Sequence, residues 1–320
     1  MSRIYEALQK AESERKQERP EARTSFEEVE REPVAATAAF AGYESPAPFT
    51  PSRFDDNIAE GFPAPMSEGG LAFSRIVSYP WNPLLDKLTS LLDRGPAVEQ
   101  FRSLRSRLYE ARDIRPIKSV LITSGLPQEG KSFVSTNLAI SLARHKNSKV
   151  LLIDGDMRRY TIHEMLGTTP SPGLADYLAG KATVEEILQR AEEPESPQGA
   201  NVINRAILGN LAFIPGGNGG DRAADLSGSA RFGELLRVVA PLFDWIIVDS
   251  SPVLPVSDAA NLARSCDAAL LVARGGVTKY PVAQRAAAEL RASNVLGFVL
   301  NAVHDAPQVG SYYGYNAGRE

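Results

Sequence analysis

Residues 124–132, Ser-Gly-Leu-Pro-Gln-Glu-Gly-Lys-Ser, constrain the fold more than any other part of the chain. They fit the pattern G-x-x-x-x-G-K-S, follow a strand-like run at 119–123 and precede a helix-like run at 133–144. A glycine-rich loop in this position directs backbone N–H groups towards phosphate oxygens, and the helix N-terminus adds positive potential. The sequence therefore predicts a P-loop that binds a nucleoside triphosphate, with Lys131 at the β- and γ-phosphates and Ser132 on Mg²⁺.

Three aspartates add to this prediction. The apolar run 149–153 ends in Asp-Gly-Asp-Met-Arg, and strand alternation places Asp154 and Asp156 on one face at its exit. A second run, Trp-Ile-Ile-Val-Asp, ends at Asp249 and has the form of a Walker B strand, whose acid supports Mg²⁺. Any one of them alone would be read as a turn or capping residue. Together with a P-loop, the three predict a nucleotide site.

The remaining pattern predicts an α/β fold in which a mainly parallel sheet is covered by helices on both faces. The predicted strands are 118–124, 149–154, 211–215, 244–249, 268–273 and 295–301. The predicted helices are 96–111, 131–145, 174–190 (as more than one helix), 230–240, 257–265 and 281–293. Strand ends and loops then meet at one edge of the sheet, where ligands bind in folds of this kind.

The three motifs, in this order, resemble those of the bacterial tyrosine autokinases of polysaccharide export, the BY-kinases. That family carries a P-loop, a D-x-D-x-R motif and an apolar-Asp-x-x-Pro motif, matched here by Asp154 to Arg158 and by Asp249 to Pro252. The resemblance covers about residues 95–320. Related cell-division-site and plasmid-partition ATPases usually have a second lysine early in the loop, where this chain has Leu126. The sequence therefore favours the kinases.

The resemblance implies roles for particular residues. Catalytic roles are expected for Lys131, Asp154, Asp156 and Asp249. Nucleotide contacts are expected from Gly125, Leu126, Pro127, Gln128, Glu129, Gly130, Lys131, Ser132, Phe133, Arg158 and Asn301. Mg²⁺ ligation or support is expected from Ser132, Asp156 and Asp249. The implied cofactors are ATP and Mg²⁺, and either Asp154 or Asp156 could be the base that accepts the tyrosyl proton.

The carboxyl-terminal segment supplies candidate phosphoacceptors. Tyr312, Tyr313 and Tyr315 lie among glycines, in a segment without apolar periodicity. This composition predicts a flexible tail, and in BY-kinases a comparable tyrosine cluster is the autophosphorylation substrate. A role of these tyrosines in packing or solubility is the alternative explanation. The kinase interpretation predicts phosphorylation in trans, on a neighbouring copy.

A charged helix face precedes the P-loop. Glu99, Arg102 and Arg105 are spaced i, i+3, i+6, so they share one broad side of a helix and leave a charged face free. Such faces are ordinarily just solvated. The pattern E-x-x-R-x-x-R at this position resembles the subunit-contact motif of BY-kinases, which form rings. The resemblance therefore implies a homo-oligomer.

Composition limits the remaining possibilities. The chain has 320 residues and a net charge of −4, which gives no bias towards nucleic acid. A single cysteine, Cys266, excludes a disulfide framework and indicates a reducing, cytoplasmic setting. The sequence shows no membrane-spanning run or signal peptide. The resemblance implies a free-standing kinase that a membrane-embedded polysaccharide co-polymerase activates and recruits to the inner face of the membrane. It also implies a cognate tyrosine phosphatase that removes the phosphate.

Three regions are predicted along the chain. Residues 1–75 combine a short amphipathic helix, on Ile4, Leu8 and Ala11, with a charged and then Pro/Ala/Gly/Ser-rich linker expected to be disordered. Residues 76–303 form the P-loop kinase domain, and residues 304–320 form the tail. Two rival functions stay open at this point: a partition-type positioning ATPase with incidental tyrosines, and a non-catalytic nucleotide-binding scaffold.

Overall fold

The computed structural model describes residues 71–145, 147–192 and 206–303. These ranges contain the P-loop and the three predicted motif aspartates. The predicted amino-terminal helix and linker and the three tail tyrosines lie outside the described residues.

Eight strands form one sheet in the order β1-β4-β5-β3-β6-β2-β7-β8. The strands are β1 Ser78–Tyr79, β2 Ser119–Ser124, β3 Val150–Asp154, β4 Gln189–Ala191, β5 Leu211–Ile214, β6 Trp245–Asp249, β7 Ala268–Arg274 and β8 Val295–Asn301. All neighbours are parallel except the β4 and β5 pair, which is antiparallel. In the register of β3 and β6, Asp154 lies opposite Asp249, so the two motif strands deliver their acids side by side.

Helices cover the sheet on both faces. They are α1 Pro96–Ile114, α2 Lys131–Ala143, α3 Ile162–Leu166, α4 Leu174–Leu178, α5 Val184–Ile187, α6 Ala223–Ser227, α7 Arg231–Val239, α8 Asp258–Ala263 and α9 Tyr280–Glu289. Strand alternation sorts β3 between two cores: Leu151 and Ile153 join one cluster, and Val150 and Leu152 join the other. Burial on both faces explains why these strands read as continuous apolar runs. The predicted α/β fold is confirmed.

The six predicted strands are all present, but the prediction is wrong at one place and incomplete at another. The helical prediction over 174–190 fails at its end, because residues from Gln189 form β4 on the edge of β5. The two-residue strand β1 was not predicted. Both strands are too short for a period of two to be visible in the sequence, and pairing with a neighbour determines their conformation.

Candidate nucleotide and phosphotransfer site

The P-loop joins β2 to α2 and takes a conformation that its sequence requires. Gly130 has φ +92° and Gln128 has φ +64°, both in the left-handed region. A Cβ on Gly130 would lie 2.0 Å from Nδ2 of Asn301. That amide nitrogen donates a hydrogen bond to the backbone oxygen of Glu129 at 3.0 Å. The end of β8 therefore packs directly against the P-loop, which agrees with the predicted location of Asn301 at the nucleotide site. The contact of Asn301 with adenine stays a prediction.

The predicted catalytic residues meet in the structure. Nζ of Lys131 lies 3.0 Å from Oδ2 of Asp156. The hydroxyl of Ser132 donates a hydrogen bond of 2.6 Å to Oδ2 of Asp249. Asp154, Asp156 and Asp249 are between 1% and 3% exposed. The loop lysine thus lies among three buried carboxylates.

Burial and proximity alter the protonation equilibria of this cluster. Burial would lower the pKa of Lys131, but Asp249 and Asp156 raise it above its ordinary value. Burial, opposed by Lys131, raises the pKa of Asp249 to about 6. Burial and then Asp249 raise the pKa of Asp154 well above its ordinary value. The site therefore keeps a cation in place while making a full set of carboxylate charges costly, a pattern typical of functional sites.

The observed atoms suit a small, hard cation. Oδ1 of Asp249 is buried and has no hydrogen-bond partner among the described residues, while Oδ2 is bonded to the hydroxyl of Ser132. An orphaned carboxylate oxygen beside a hydroxyl is the donor set that Mg²⁺ prefers. Ser132 and Asp249 would hold the ion, with Asp156 in support. Ligation by these residues stays a prediction.

Asp154 and Asp156 have different partners. Asp154 accepts backbone N–H bonds of 3.2 Å at each oxygen, from Asp156 and Ile162. Asp156 accepts a backbone bond of 3.1 Å from Arg159 at Oδ1 and pairs through Oδ2 with Lys131. The loop after β3 is therefore folded around the two acids. This leaves Asp154 as the one of the two without a cationic side-chain partner among the described residues.

The side chain of Glu129 braces the loop instead of facing outward. It is 4% exposed, and its carboxylate accepts the backbone N–H of Leu126 at 2.8 Å and the hydroxyl of Thr278. Thr278 lies in the connection between β7 and α9, and its hydroxyl also accepts the N–H of Arg274 at 2.8 Å. No local pattern pointed to Thr278, because the contact joins residues 149 positions apart. The contribution of Glu129 to nucleotide binding through its backbone stays a prediction.

Arg158 pairs with a residue for which no role was predicted. Its Nε lies 2.7 Å and its Nη2 3.4 Å from the two oxygens of Asp258, at the start of α8. The nucleotide contact predicted for Arg158 stays a prediction. Position 258 follows the third motif in the same sequence run, and that proximity was the one available signal for this residue.

The predicted contact motif on α1 divides between solvent and the fold. Arg102 pairs with Glu99 on the surface. Arg105 instead donates a hydrogen bond of 2.6 Å to the backbone oxygen of Ser141, near the end of α2. The expectation that all three residues leave a free charged face is therefore wrong for Arg105. Packing of α1 on α2, which the spacing along one helix does not reveal, explains the difference.

Comparisons with known proteins identify relatives. The chain is 32% identical over 205 residues to the tyrosine-protein kinase YwqD of Bacillus subtilis strain 168, covering 63% of this chain and 80% of that protein. It is also 32% identical over 222 residues to the tyrosine-protein kinase wzc of Salmonella typhimurium, covering 68% of this chain but 28% of that protein. No protein-family model matches the chain.

A solved structure agrees with these relatives. The kinase domain of Escherichia coli tyrosine kinase ETK matches with a TM-score of 0.59 and 30% identity, covering 77% of this chain and 97% of that domain. In the part of the chain that the structure describes, no helix is both long and apolar enough to cross a bilayer. By its coverage of YwqD, and with its P-loop and motif acids in one site, the chain belongs to the bacterial tyrosine kinase (BY-kinase) family.

Proposed function

We propose that this protein is an ATP- and Mg²⁺-dependent tyrosine autokinase, which phosphorylates its carboxyl-terminal tyrosines in trans. The observation that carries the proposal is the cluster of Lys131, Ser132 and Asp249 at the meeting strand ends, with one buried oxygen of Asp249 left without a partner among the described residues. Such a site is suited to binding a triphosphate and its metal. The P-loop alone does not distinguish phosphoryl transfer from ATP hydrolysis, because both reactions use this loop. Similarity to tyrosine kinases therefore supports the choice of reaction class.

Positioning and electrostatics supply most of the rate enhancement in phosphoryl transfer. The amides of the loop and the N-terminus of α2 would hold the β- and γ-phosphates, and Lys131 would neutralise charge that builds on the γ-phosphate oxygens. Ser132 and Asp249 would hold Mg²⁺, which would supply further charge neutralisation. No covalent intermediate on the enzyme is required.

A carboxylate must receive the tyrosyl proton as the new bond to phosphorus forms, because tyrosine has a pKa of about 10 and is barely ionised near neutrality. Asp156 is already paired with the ammonium of Lys131 at 3.0 Å. Asp154 has backbone N–H partners and a raised pKa. We assign the proton to Asp154 and the orientation of Lys131 to Asp156.

The proposed acceptors are Tyr312, Tyr313 and Tyr315. The last described strand, β8, ends beside the P-loop at Asn301. We propose that the tail, which follows it in the chain, starts from this nucleotide side of the sheet. Residues 304–320 could span at most about 55 Å at roughly 3.3 Å per residue. That length reaches a neighbouring subunit, and Glu99 with Arg102 provides the exposed part of the proposed ring contact.

Phosphorylation would regulate assembly. Each phosphotyrosine would add about −1.5 to −2 charge near a site already rich in carboxylates, so a phosphorylated tail would be repelled. We propose that the ring then loosens, and that cycling between packed and dispersed forms times exopolysaccharide polymerisation or export. A membrane-embedded co-polymerase as activator, recruitment to the inner membrane face and a cognate phosphatase complete the proposal.

A mixing experiment tests transfer in trans. A Lys131→Met protein with an intact tail is combined with a protein that lacks residues 304–320, in the presence of ATP and Mg²⁺. Mass spectrometry should find phosphotyrosine on the Lys131→Met tail, and a Lys131→Met sample alone serves as the control. An unphosphorylated Lys131→Met tail in the mixture, while wild type incubated separately phosphorylates its own tail, would refute the trans mechanism.

A further inference from the structure

A buried carboxylate fixes the arginine of the second motif. Asp258 is 1% exposed, and both of its oxygens face the guanidinium of Arg158, at 2.7 Å and 3.4 Å. The side chain of Arg158 is 31% exposed. A carboxylate so deeply buried is costly unless it is paired, so the pairing restricts the guanidinium to one orientation. One edge of this planar group is bonded to Asp258, and the side chain remains partly exposed.

The pair lies across the strand ends from the loop lysine. The helix that follows the P-loop, α2, packs through Leu138 and Leu142 into one of the two cores. The helix that carries Asp258, α8, packs through Ala259 and Leu262 into the core on the opposite face of the sheet. The motif aspartates lie at the strand ends between them. Arg158 lies in the loop that follows β3, at the same strand ends.

The charges around Arg158 indicate what kind of group it could contact. The guanidinium is already bonded to the buried carboxylate of Asp258, at 2.7 Å and 3.4 Å. This paired carboxylate makes the position less favourable for a phosphate dianion than an unpaired arginine would be. A neutral aromatic ring has no such penalty, and guanidinium planes stack well on aromatic faces.

We propose that Arg158, held in place by Asp258, is the platform on which the ring of the acceptor tyrosine stacks before transfer. Asp258 is then a positioning residue that acts through Arg158. The pair would select an aromatic acceptor and would release it once it carries phosphate. This inference rests on the proposed kinase function and adds the acceptor-binding residues to it.

The test uses full-length protein, ATP, Mg²⁺ and synthetic peptides of residues 304–320. With the tyrosine peptide as substrate, Arg158→Gln should raise KM about two- to tenfold with little change in kcat. Two unreactive competitors then probe the ring itself: one with phenylalanine at positions 312, 313 and 315, and one with leucine. The phenylalanine peptide should inhibit wild type about two- to tenfold more strongly than the leucine peptide, and Arg158→Lys, which keeps the charge, should reduce that preference.

Matched variants separate positioning from general damage. Arg159→Gln removes the same charge one residue away and should leave KM and the competitor preference unchanged. Asp258→Asn should weaken the preference in wild type and have no further effect on it in Arg158→Gln, because it acts through that arginine. Thermal unfolding of each variant checks folding. If Asp258→Asn does not fold, Arg158→Lys still provides a test, because it keeps a cation beside the buried carboxylate of Asp258.

Three results would overturn the inference. The first is an unchanged KM and competitor preference in Arg158→Gln and Arg158→Lys. The second is tighter binding of a phosphotyrosine peptide than of the tyrosine peptide, lost in Arg158→Gln, which would make this an anion site. The third is an equal effect of Arg159→Gln. If wild type phosphorylates no tyrosine at all, the proposed function itself fails, which is a different outcome from any of these.

Discussion

Replacement of Gly130 by alanine would disturb the contact between the P-loop and the end of β8. The backbone there has φ +92°, which costs a residue with a Cβ about 1–2 kcal/mol. The new Cβ would lie 2.0 Å from the amide nitrogen of Asn301, so that side chain must move and lose its 3.0 Å hydrogen bond to Glu129. One such bond contributes about 1 kcal/mol. We expect Gly130→Ala to lower the free energy of unfolding by about 2–4 kcal/mol.

The steric part of this cost can be measured separately. Asn301→Ala removes the obstructing amide, so the double variant should retain the backbone strain but not the clash. Its loss should be about 1–2 kcal/mol smaller than the sum of the two single losses. Gly276→Ala is the matched control, because Gly276 has φ +71° and a Cβ at that position would meet no described atom within 4 Å. It should cost only the strain, about 1–2 kcal/mol.

Urea unfolding without nucleotide, followed by tryptophan fluorescence, provides the assay, since Trp245 is buried in β6 and reports on the core. The reasoning would be refuted if Gly130→Ala cost no more than Gly276→Ala. It would be refuted equally if the losses of Gly130→Ala and Asn301→Ala were additive, because a shared contact requires coupling.

Three further predictions concern the site and the α1 surface. Lys131→Met should abolish phosphotyrosine and also lower the free energy of unfolding by about 3–5 kcal/mol, because it leaves Asp156 buried without its cation. Urea unfolding measures this loss, with Lys181→Met at an exposed position as the control. Equal stability of the two variants would contradict the prediction. Ser132→Ala should weaken ATP binding about tenfold in calorimetry with Mg²⁺ but not with EDTA; equal weakening in both would argue against metal ligation. Arg105→Ala should lower the free energy of unfolding by about 1–2 kcal/mol through its lost bond to the end of α2, and Arg102→Ala by less than about 1 kcal/mol; the reverse order in thermal unfolding would contradict the assigned contacts.

Much of the fold follows from local pattern. Five of the six predicted strands, β2, β3, β5, β6 and β7, are almost wholly buried apolar runs, whereas β8 is partly exposed, and each acid or loop motif marks where a strand ends. The opposing register of Asp154 and Asp249 follows once β3 and β6 are neighbours. The P-loop could be recognised because phosphate binding demands glycines at fixed offsets in a strand-to-helix turn.

Contacts between distant parts of the chain were not predictable in the same way. Glu129 reads as a nucleotide-site residue, yet its carboxylate is bonded to Thr278 and to the N–H of Leu126. Arg105 reads as part of a surface motif, yet it binds a carbonyl on α2. Such outcomes depend on which helix or loop packs alongside, and a single sequence carries no record of that pairing.

The most direct test of the kinase account is mass spectrometry of the tryptic fragment Ala292 to Arg319 after wild type and Lys131→Met are incubated with ATP and Mg²⁺. The account predicts phosphate on one or more of Tyr312, Tyr313 and Tyr315 in wild type, and none in the Lys131→Met sample. Thermal unfolding confirms that the variant is folded under the assay conditions. An unmodified fragment from wild type, while ATP is hydrolysed, would contradict the account and indicate a nucleotide-switched positioning ATPase.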